Sequence, residues 1–254
     1  MIKDFDLLQR ANNDYTTIDL EHAEELAYRE LIDSIRYISL GDECGVMGNI
    51  ANIITYKGRF YIQEEQFDRV FIYDDTGRCL KKIDNKGRGP GEYLRIESID
   101  INTEKEELML VDGMSDKLFF YDLDGNFKSI HSIRYFQTEN TLCLRDSVFL
   151  HISAPSQNFG NEGLYGYALV LSKGNENFLK GYRYLPLQVG YKGGGQIFKG
   201  YERSCYHPIY SDTIYQILSD TTYGPIFYFK IKNSSWEKYH NSAIKEKYTI
   251  SKIC

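Results

Sequence analysis

The residues whose types and spacing could do chemistry are few. Gly87-Arg-Gly-Pro-Gly91 is a glycine-rich loop whose backbone N–H groups could cradle an anion. It lacks the G-x-x-x-x-G-K-[ST] spacing and the following helix of a phosphate loop. The spacing therefore reads as a crossover between strands, where glycine permits φ > 0 and close approach. Arg88, Glu92 and Tyr93 remain ligand-binding candidates on that loop, and His207, just before Pro208, is a fourth. Asp122-Leu-Asp124-Gly-Asn126 opens like a Ca²⁺ loop, but the twelfth position is Ile133, which cannot ligate. A hairpin turn is the better reading, and no metal is expected there. The five histidines, His22, His131, His151, His207 and His240, have no metal-ligand spacing, and neither H-E-x-x-H nor G-x-S-x-G occurs. The five cysteines form no C-x-x-C pair and are odd in number, so neither a zinc ribbon nor a disulfide scaffold is expected. No cofactor and no catalytic constellation follow from linear motifs.

The elements that must position these residues show in an internal repeat. Phe60–Gly77 aligns without gaps on Leu108–Gly125, a period of 48 residues. Phe71, Tyr73, Asp74 and Gly77 match Phe119, Tyr121, Asp122 and Gly125, and Asp68 matches Asp116. The second copy predicts strands at residues 98–102, 108–111, 117–121 and 127–133, with turns at Asp112-Gly113 and Asp124-Gly125. Four short strands in about 45 residues have the size of one propeller blade. Further strands are expected at 141–152, 165–172, 196–206, 213–219 and 224–232, with a long loop at 153–163. Apolar residues at helical spacing predict a short helix over 20–32, and Ser234 or Ser235 could cap a second one over 235–247.

The totals agree with a β-rich chain. Of its 254 residues 15% are aromatic, which suits pleated sheets. A net charge of −6 with no basic stripe argues against nucleic acid. No apolar run reaches the roughly 18 residues a membrane helix needs. The N-terminus MIKDFDLLQR is charged and, as it stands, is no secretory signal. The tyrosines of 182–210 could offer rings to a carbohydrate or peptide, though blade packing is the commoner use of such rings.

The motifs, taken in order, resemble a six-bladed β-propeller family abundant in Bacteroides-type gut bacteria. Lys86-Gly-Arg-Gly-Pro-Gly-Glu-Tyr93 is similar to that family's GkGPGEY stretch, Tyr121-Asp-Leu-Asp-Gly-Asn-Phe127 to its YDldGkf blade end, and Ser211-Asp-Thr-Ile-Tyr215 to its SDTIY element. The likeness covers residues 38–231. It implies a propeller in an extracytoplasmic compartment, with a leader missing from this chain, and implies no reaction. Family members run on past SDTIY, so this chain would hold about four of six blades. The expectation is thus an all-β propeller of four-stranded antiparallel blades over 38–254, preceded by an N-terminal segment over 1–37 with a short helix. An apolar blade face left open near Tyr228–Ile231 would favour self-association, unless the N-terminal segment caps it. The functional expectation is a binding or scaffold module that takes a glycan, peptide or protein partner on a propeller face or in the channel. The alternative is a lyase or hydrolase whose site is assembled from several blades and leaves no linear motif.

Overall fold

Runs of β-branched and aromatic residues at period two form strands, because alternate side chains then share one face of a sheet. The computed structural model describes residues 9–10, 14–22, 32–133, 138–145, 147–153, 158, 166–174, 177–184, 195–199, 204–208, 211–217 and 222–230. Two short strands come first, β1 (Gln9–Arg10) and β2 (Thr16–Asp19). The first blade comprises β3 (Ile50–Tyr56), β4 (Arg59–Glu64), β5 (Arg69–Asp74) and β6 (Cys79–Ile83). The second comprises β7 (Ser98–Asn102), β8 (Glu107–Asp112), β9 (Lys117–Asp122) and β10 (Phe127–Ser132). The third holds β11 (Asn140–Arg145), β12 (Val148–Ile152), β13 (Tyr167–Lys173) and β14 (Asn177–Tyr184). The fourth holds β15 (Gln196–Lys199), β16 (Ser204–His207), β17 (Thr213–Ile217) and β18 (Thr222–Lys230). Each set is hydrogen-bonded in chain order, giving four antiparallel four-stranded blades of an all-β propeller.

No helix occurs among the described residues. The helix expected over 20–32 falls mostly outside them, with residues 20–22 forming a bend and turn, and the one over 235–247 lies wholly outside them. The strand expected over 141–152 is two strands, β11 and β12, with a turn at Ser147 where polar residues break the apolar alternation. Most of the expected 153–163 loop also lies outside the described residues.

The chain divides into two compact units, described separately: Met1–Tyr28 with Ile152–Val170 and Lys180–Cys254, and Arg29–His151 with Leu171–Leu179. In the second unit the 48-residue repeat is realised strand by strand. Ile62 faces Phe71 across β4–β5, and Leu110 faces Phe119 across β8–β9, in identical register. Asp74 and Asp122 cap matching turns: Asp74 Oδ1 accepts from the N–H groups of Thr76 (3.0 Å) and Arg78 (3.1 Å), and Asp122 Oδ1 from those of Asp124 (3.0 Å) and Asn126 (2.8 Å). Those turns need φ of 89° and 80° at Gly77 and Gly125, which a side chain would strain. Asp122 is thus bound by its own turn, as the hairpin reading expected. Burial works against its charge, but hydrogen bonds from Asn126 and Asp124 hold its carboxyl below the ordinary range.

Alternation sorts the core into layers. Tyr61, Val70 and Ile72 of the first blade pack against Ile101, Leu108, Leu110, Phe119 and Tyr121 of the second. The other face of the second blade, with Met109, Leu118 and Phe120, packs on Cys143 and Phe149 of the third. Phe71 and Tyr73 share the burial of their partners Phe119 and Tyr121, yet lie under different cover. Their cover includes Cys44 and Met47, from an irregular segment crossing the first blade. Cys44 is disulfide-bonded to Cys79, a pairing that cysteine spacing did not suggest because 35 residues separate the two. Cys143 and Cys205 are buried.

In the first unit, β1 and β2 both pair in parallel with β18, Gln9 with Thr222 and Thr17 with Tyr228. The stretch near Tyr228 expected to lie open is therefore strand-paired: Phe229 partners Ile18, and the Tyr15 ring meets that of Tyr228 at 6.2 Å. Of the open face and the N-terminal cap expected there, the pairing concerns the strand edge: the N-terminal segment reaches the last blade by extending its hydrogen-bond ladder.

Phe119 is fully buried between two blades, so Phe119→Ala should cost about 3–5 kcal/mol. Urea unfolding of the purified variant checks this; a loss under about 1 kcal/mol would show that the two blades are not tightly packed.

Candidate functional site

Strands alternate in direction within a blade, so each blade has two ends. The β4–β5 and β8–β9 turns and the linker over 84–97 lie at one end; the β3–β4, β7–β8 and β9–β10 turns lie at the other. Three of the four sequence candidates sit on the linker, at the first of these ends.

The linker is held by carboxylates of two blades. Asp68 takes φ of 56° in the β4–β5 turn, and its buried side chain accepts from the Ile96 N–H (3.1 Å) and pairs with Lys86 Nζ. Asp112, buried at the end of β8, accepts from the Leu94 N–H (2.7 Å) and from Met114 and Ser115 in its own turn. Glu64, its counterpart 48 residues earlier, accepts from Gln66 and Phe67 in the same way. Tyr93 is fully buried; its hydroxyl donates to the Asp68 carbonyl (2.8 Å) and accepts from the Asn85 N–H (3.1 Å). Burial pushes that hydroxyl's pKa up. Tyr93 therefore anchors the loop from within and offers no surface to a ligand. Glu92 is exposed, and its Oε2 accepts from the Gly89 N–H at 2.7 Å, so it closes the loop on itself. Arg88 is exposed at the tip. The motif is a crossover whose amides serve the loop: Gly87 N–H donates to the Tyr93 carbonyl and Glu92 N–H to that of Gly89.

His207 belongs to the other unit, on β16. Its Nε2 lies 2.8 Å from the Ser211 carbonyl, which can only accept, so Nε2 carries a proton. The structure thus groups Arg88, Glu92 and Tyr93 on one loop and places His207 elsewhere in the chain.

Sequence reasoning missed the apolar residues at the linker end. Phe67 is 48% and Met114 65% exposed, on the two capped turns, and the Arg69 guanidinium lies 4.2 Å from the Phe67 ring centre. Two carboxyls there are perturbed. Burial raises Glu97, opposed by Arg95 and helped by Asp112; burial also raises Asp116, again with Asp112. The only sequence signal was the 48-residue match of Gln66 with Met114 and Phe67 with Ser115, which shows a shared turn but not exposure.

The opposite end holds a cleft of about 440 Å³ lined by Lys57, Arg59, Tyr61, Glu106 and Asp124, among others. Its charges are matched: Lys57 pairs with Glu106, and Arg59 Nη1 lies 2.7 Å from Asp124 Oδ1 and 2.9 Å from the Leu123 carbonyl. Among the described residues, one group could converge on a cation, exposed Asp19, Glu21 and His22, and Lys230 Nζ already sits 3.1 Å from Asp19. His151 is fully buried between Thr141 (2.9 Å) and Ser172 (2.6 Å), and desolvation lowers its pKa to about 3. It is a core histidine held neutral.

Four-stranded blades joined by a pinned linker define a propeller-type module, and comparison with known proteins agrees. Residues 15–253 match the Domain of unknown function family DUF4934, and the chain belongs to that family. It is similar to a solved protein from Bacteroides fragilis NCTC 9343 described as a "Putative exported protein", with 20% identity and a TM-score of 0.72 over 85% of this chain and 60% of that one. The chain therefore spans about 60% of the length of that relative. A duf4221-family member from Bacteroides vulgatus ATCC 8482 is 11% identical with a TM-score of 0.42, over 68% of this chain and 55% of that one. Virginiamycin B lyase from Staphylococcus aureus is 10% identical with a TM-score of 0.47, over 73% of this chain and 57% of that one. Those two scores are too low to bear on function. No curated protein matches the sequence.

Two outcomes follow. Tyr93→Phe removes one hydroxyl and strands the Asp68 carbonyl and Asn85 N–H, so urea unfolding should show a loss of about 1–3 kcal/mol; an unchanged midpoint would show that water replaces both bonds. His151 binds a proton in the unfolded chain near pH 6.5 but in the folded one only near pH 3. Its stabilising contribution is complete above pH 6.5 and is lost as pH falls toward 3. The unfolding midpoint should drop between pH 7 and 5, more steeply than in His151→Gln; parallel pH profiles would mean the histidine titrates normally.

Proposed function

We propose that this protein is a binding or scaffold module that holds a peptide or protein partner on the end of the blades carrying the 84–97 linker. The observation that carries the reading is the fixed presentation of Phe67 and Met114: both are large, apolar and exposed, on turns locked by buried Glu64 and Asp112. A side chain held by a rigid turn loses little freedom on binding, which favours affinity. Exposed Arg88 adds a cation for an acidic or main-chain carbonyl group of the partner. An extracytoplasmic location fits the Cys44–Cys79 disulfide, since such bonds persist in oxidising compartments, and fits the described export of the Bacteroides fragilis relative. No helix among the described residues is long and apolar enough to cross a membrane.

A second reading, an enzyme acting at the same end, rests on the raised carboxyls of Glu97 and Asp116, since perturbed groups cluster at active sites. Asp112, the charge that perturbs both, is already committed to the turn and linker, which favours the first reading.

Probing the purified chain on a displayed peptide library and a glycan array separates the possibilities. The expected result is peptide capture that weakens at least tenfold in Phe67→Ala/Arg88→Ala/Met114→Ala and survives Lys57→Ala at the opposite end. Capture of glycans alone, or loss only on changing Lys57, would overturn the reading; turnover of a captured ligand that stops in Glu97→Gln would establish the enzyme.

A further inference from the structure

The repeat makes a prediction about burial that one face of the first blade does not meet. Leu110, Phe119 and Tyr121 of the second blade, together with Ile101, are covered by the neighbouring blade. Their counterparts 48 residues earlier are Ile62, Phe71, Tyr73 and Ile53. Ile62, Phe71 and Tyr73 are buried, but Ile53 is 51% exposed where Ile101 is 2% exposed. The cover over the buried three includes part of an extended strap, residues 36–49, that contains no regular secondary structure.

The strap is attached through its main chain and a few side chains. Gly41 N–H donates to the Gly77 carbonyl (2.7 Å), Tyr73 hydroxyl to the Gly41 carbonyl (3.2 Å) and Glu65 N–H to the Asn49 carbonyl (3.0 Å). Arg36 Nη2 donates to the Asp75 carbonyl (2.8 Å), and Cys79 N–H donates to Glu43 Oε2 (3.2 Å). Its apolar contribution is small: Cys44 and Met47 face inward, whereas Tyr37 and Val46 are 91% and 83% exposed. A blade would bury a whole sheet face on this surface, whereas the strap's apolar side chains Ile38, Cys44 and Met47 are only half-buried. The Cys44–Cys79 bond compensates by tying the middle of the strap to β6, the outer strand of the same blade.

We infer that the strap is a disulfide-locked cover standing where an adjoining blade would pack, and that reduction releases it to uncover the Ile62–Phe71–Tyr73 face. The step needs a dithiol reductant. One of its thiolates attacks a sulfur of Cys44–Cys79 and forms a mixed disulfide; its second thiolate then displaces the remaining protein thiol. Two protein thiols and one oxidised dithiol result, with two electrons and two protons transferred to the protein. The strap then keeps its hydrogen bonds and the contacts of Cys44 and Met47 but no covalent tie, and each such hydrogen bond is of small net worth. Local opening at that cost is ordinary for weakly packed segments, while the layered core between the first two blades is untouched.

The test is hydrogen exchange on the full chain, oxidised and after treatment with dithiothreitol, with Cys44→Ser/Cys79→Ser as a reductant-free counterpart. A linked Cys44–Cys79 peptide should be found by mass spectrometry before reduction. On reduction, the amides of Gly41, Gly45 and Glu65 should exchange at least tenfold faster, fluorescence of an apolar dye should rise, and the amides of β8 and β9 should keep their protection. Unchanged strap exchange would overturn the proposal. So would loss of protection throughout β8 and β9, which would make the bond a plain staple for the whole unit, or recovery of both cysteines as thiols before reduction.

Discussion

A buried carboxylate at the end of the second strand of each of the first two blades is the constraint from which the rest follows. Asp112 is almost wholly removed from water and accepts from Leu94, Met114 and Ser115. A carboxyl group in that position is tolerable because hydrogen bonds replace its hydration. Meeting that requirement fixes the β8–β9 turn and pulls the incoming linker onto the blade. Glu64 does the same for the β4–β5 turn, and Asp68 beside it reaches Ile96 and Lys86 at the linker's two ends. Blade geometry and linker path are thus set by the same few acids.

With the linker fixed, the apolar layers follow. Tyr93 drops from the linker into the core between the first two blades, where its ring meets Phe119 at 6.0 Å. Its hydroxyl returns to the Asp68 turn, so the aromatic anchor and the carboxylate network reinforce each other. The exposed residues of this end, Phe67, Arg88 and Met114, ride on a scaffold with little freedom left. That is the physical setting in which a loop end works as a recognition surface, and the reason the glycine-rich linker has structural duties before any ligand arrives.

The first blade shows that matched repeats need not have matched cover. Its sheet carries the same inward pattern as the second, and the cover over Ile62, Phe71 and Tyr73 includes a strap tied by a disulfide. Repeat architectures commonly require atypical cover at their ends, because each unit is built to be packed on both sides. In the other unit, β1 and β2 serve the edge of β18 in a related way, by satisfying its backbone groups with parallel pairing.

The residues alone determined the blades. Period-two alternation and the 48-residue match of Phe71, Tyr73, Asp74 and Gly77 with Phe119, Tyr121, Asp122 and Gly125 are local properties of the chain, and local hydrogen bonding of Asp74 and Asp122 made the turns legible too. What the match could not say is what covers each face: Phe71 and Phe119 are the same residue at the same depth under different neighbours. The Cys44–Cys79 bond, the Asp68–Ile96 and Asp112–Leu94 bonds, and the exposure of Phe67 and Met114 beside a buried Tyr93 all join residues distant in sequence or depend on them. Only tertiary structure decided those, because a side chain's burial and its partners are set by what packs against it, and no spacing along one strand records that.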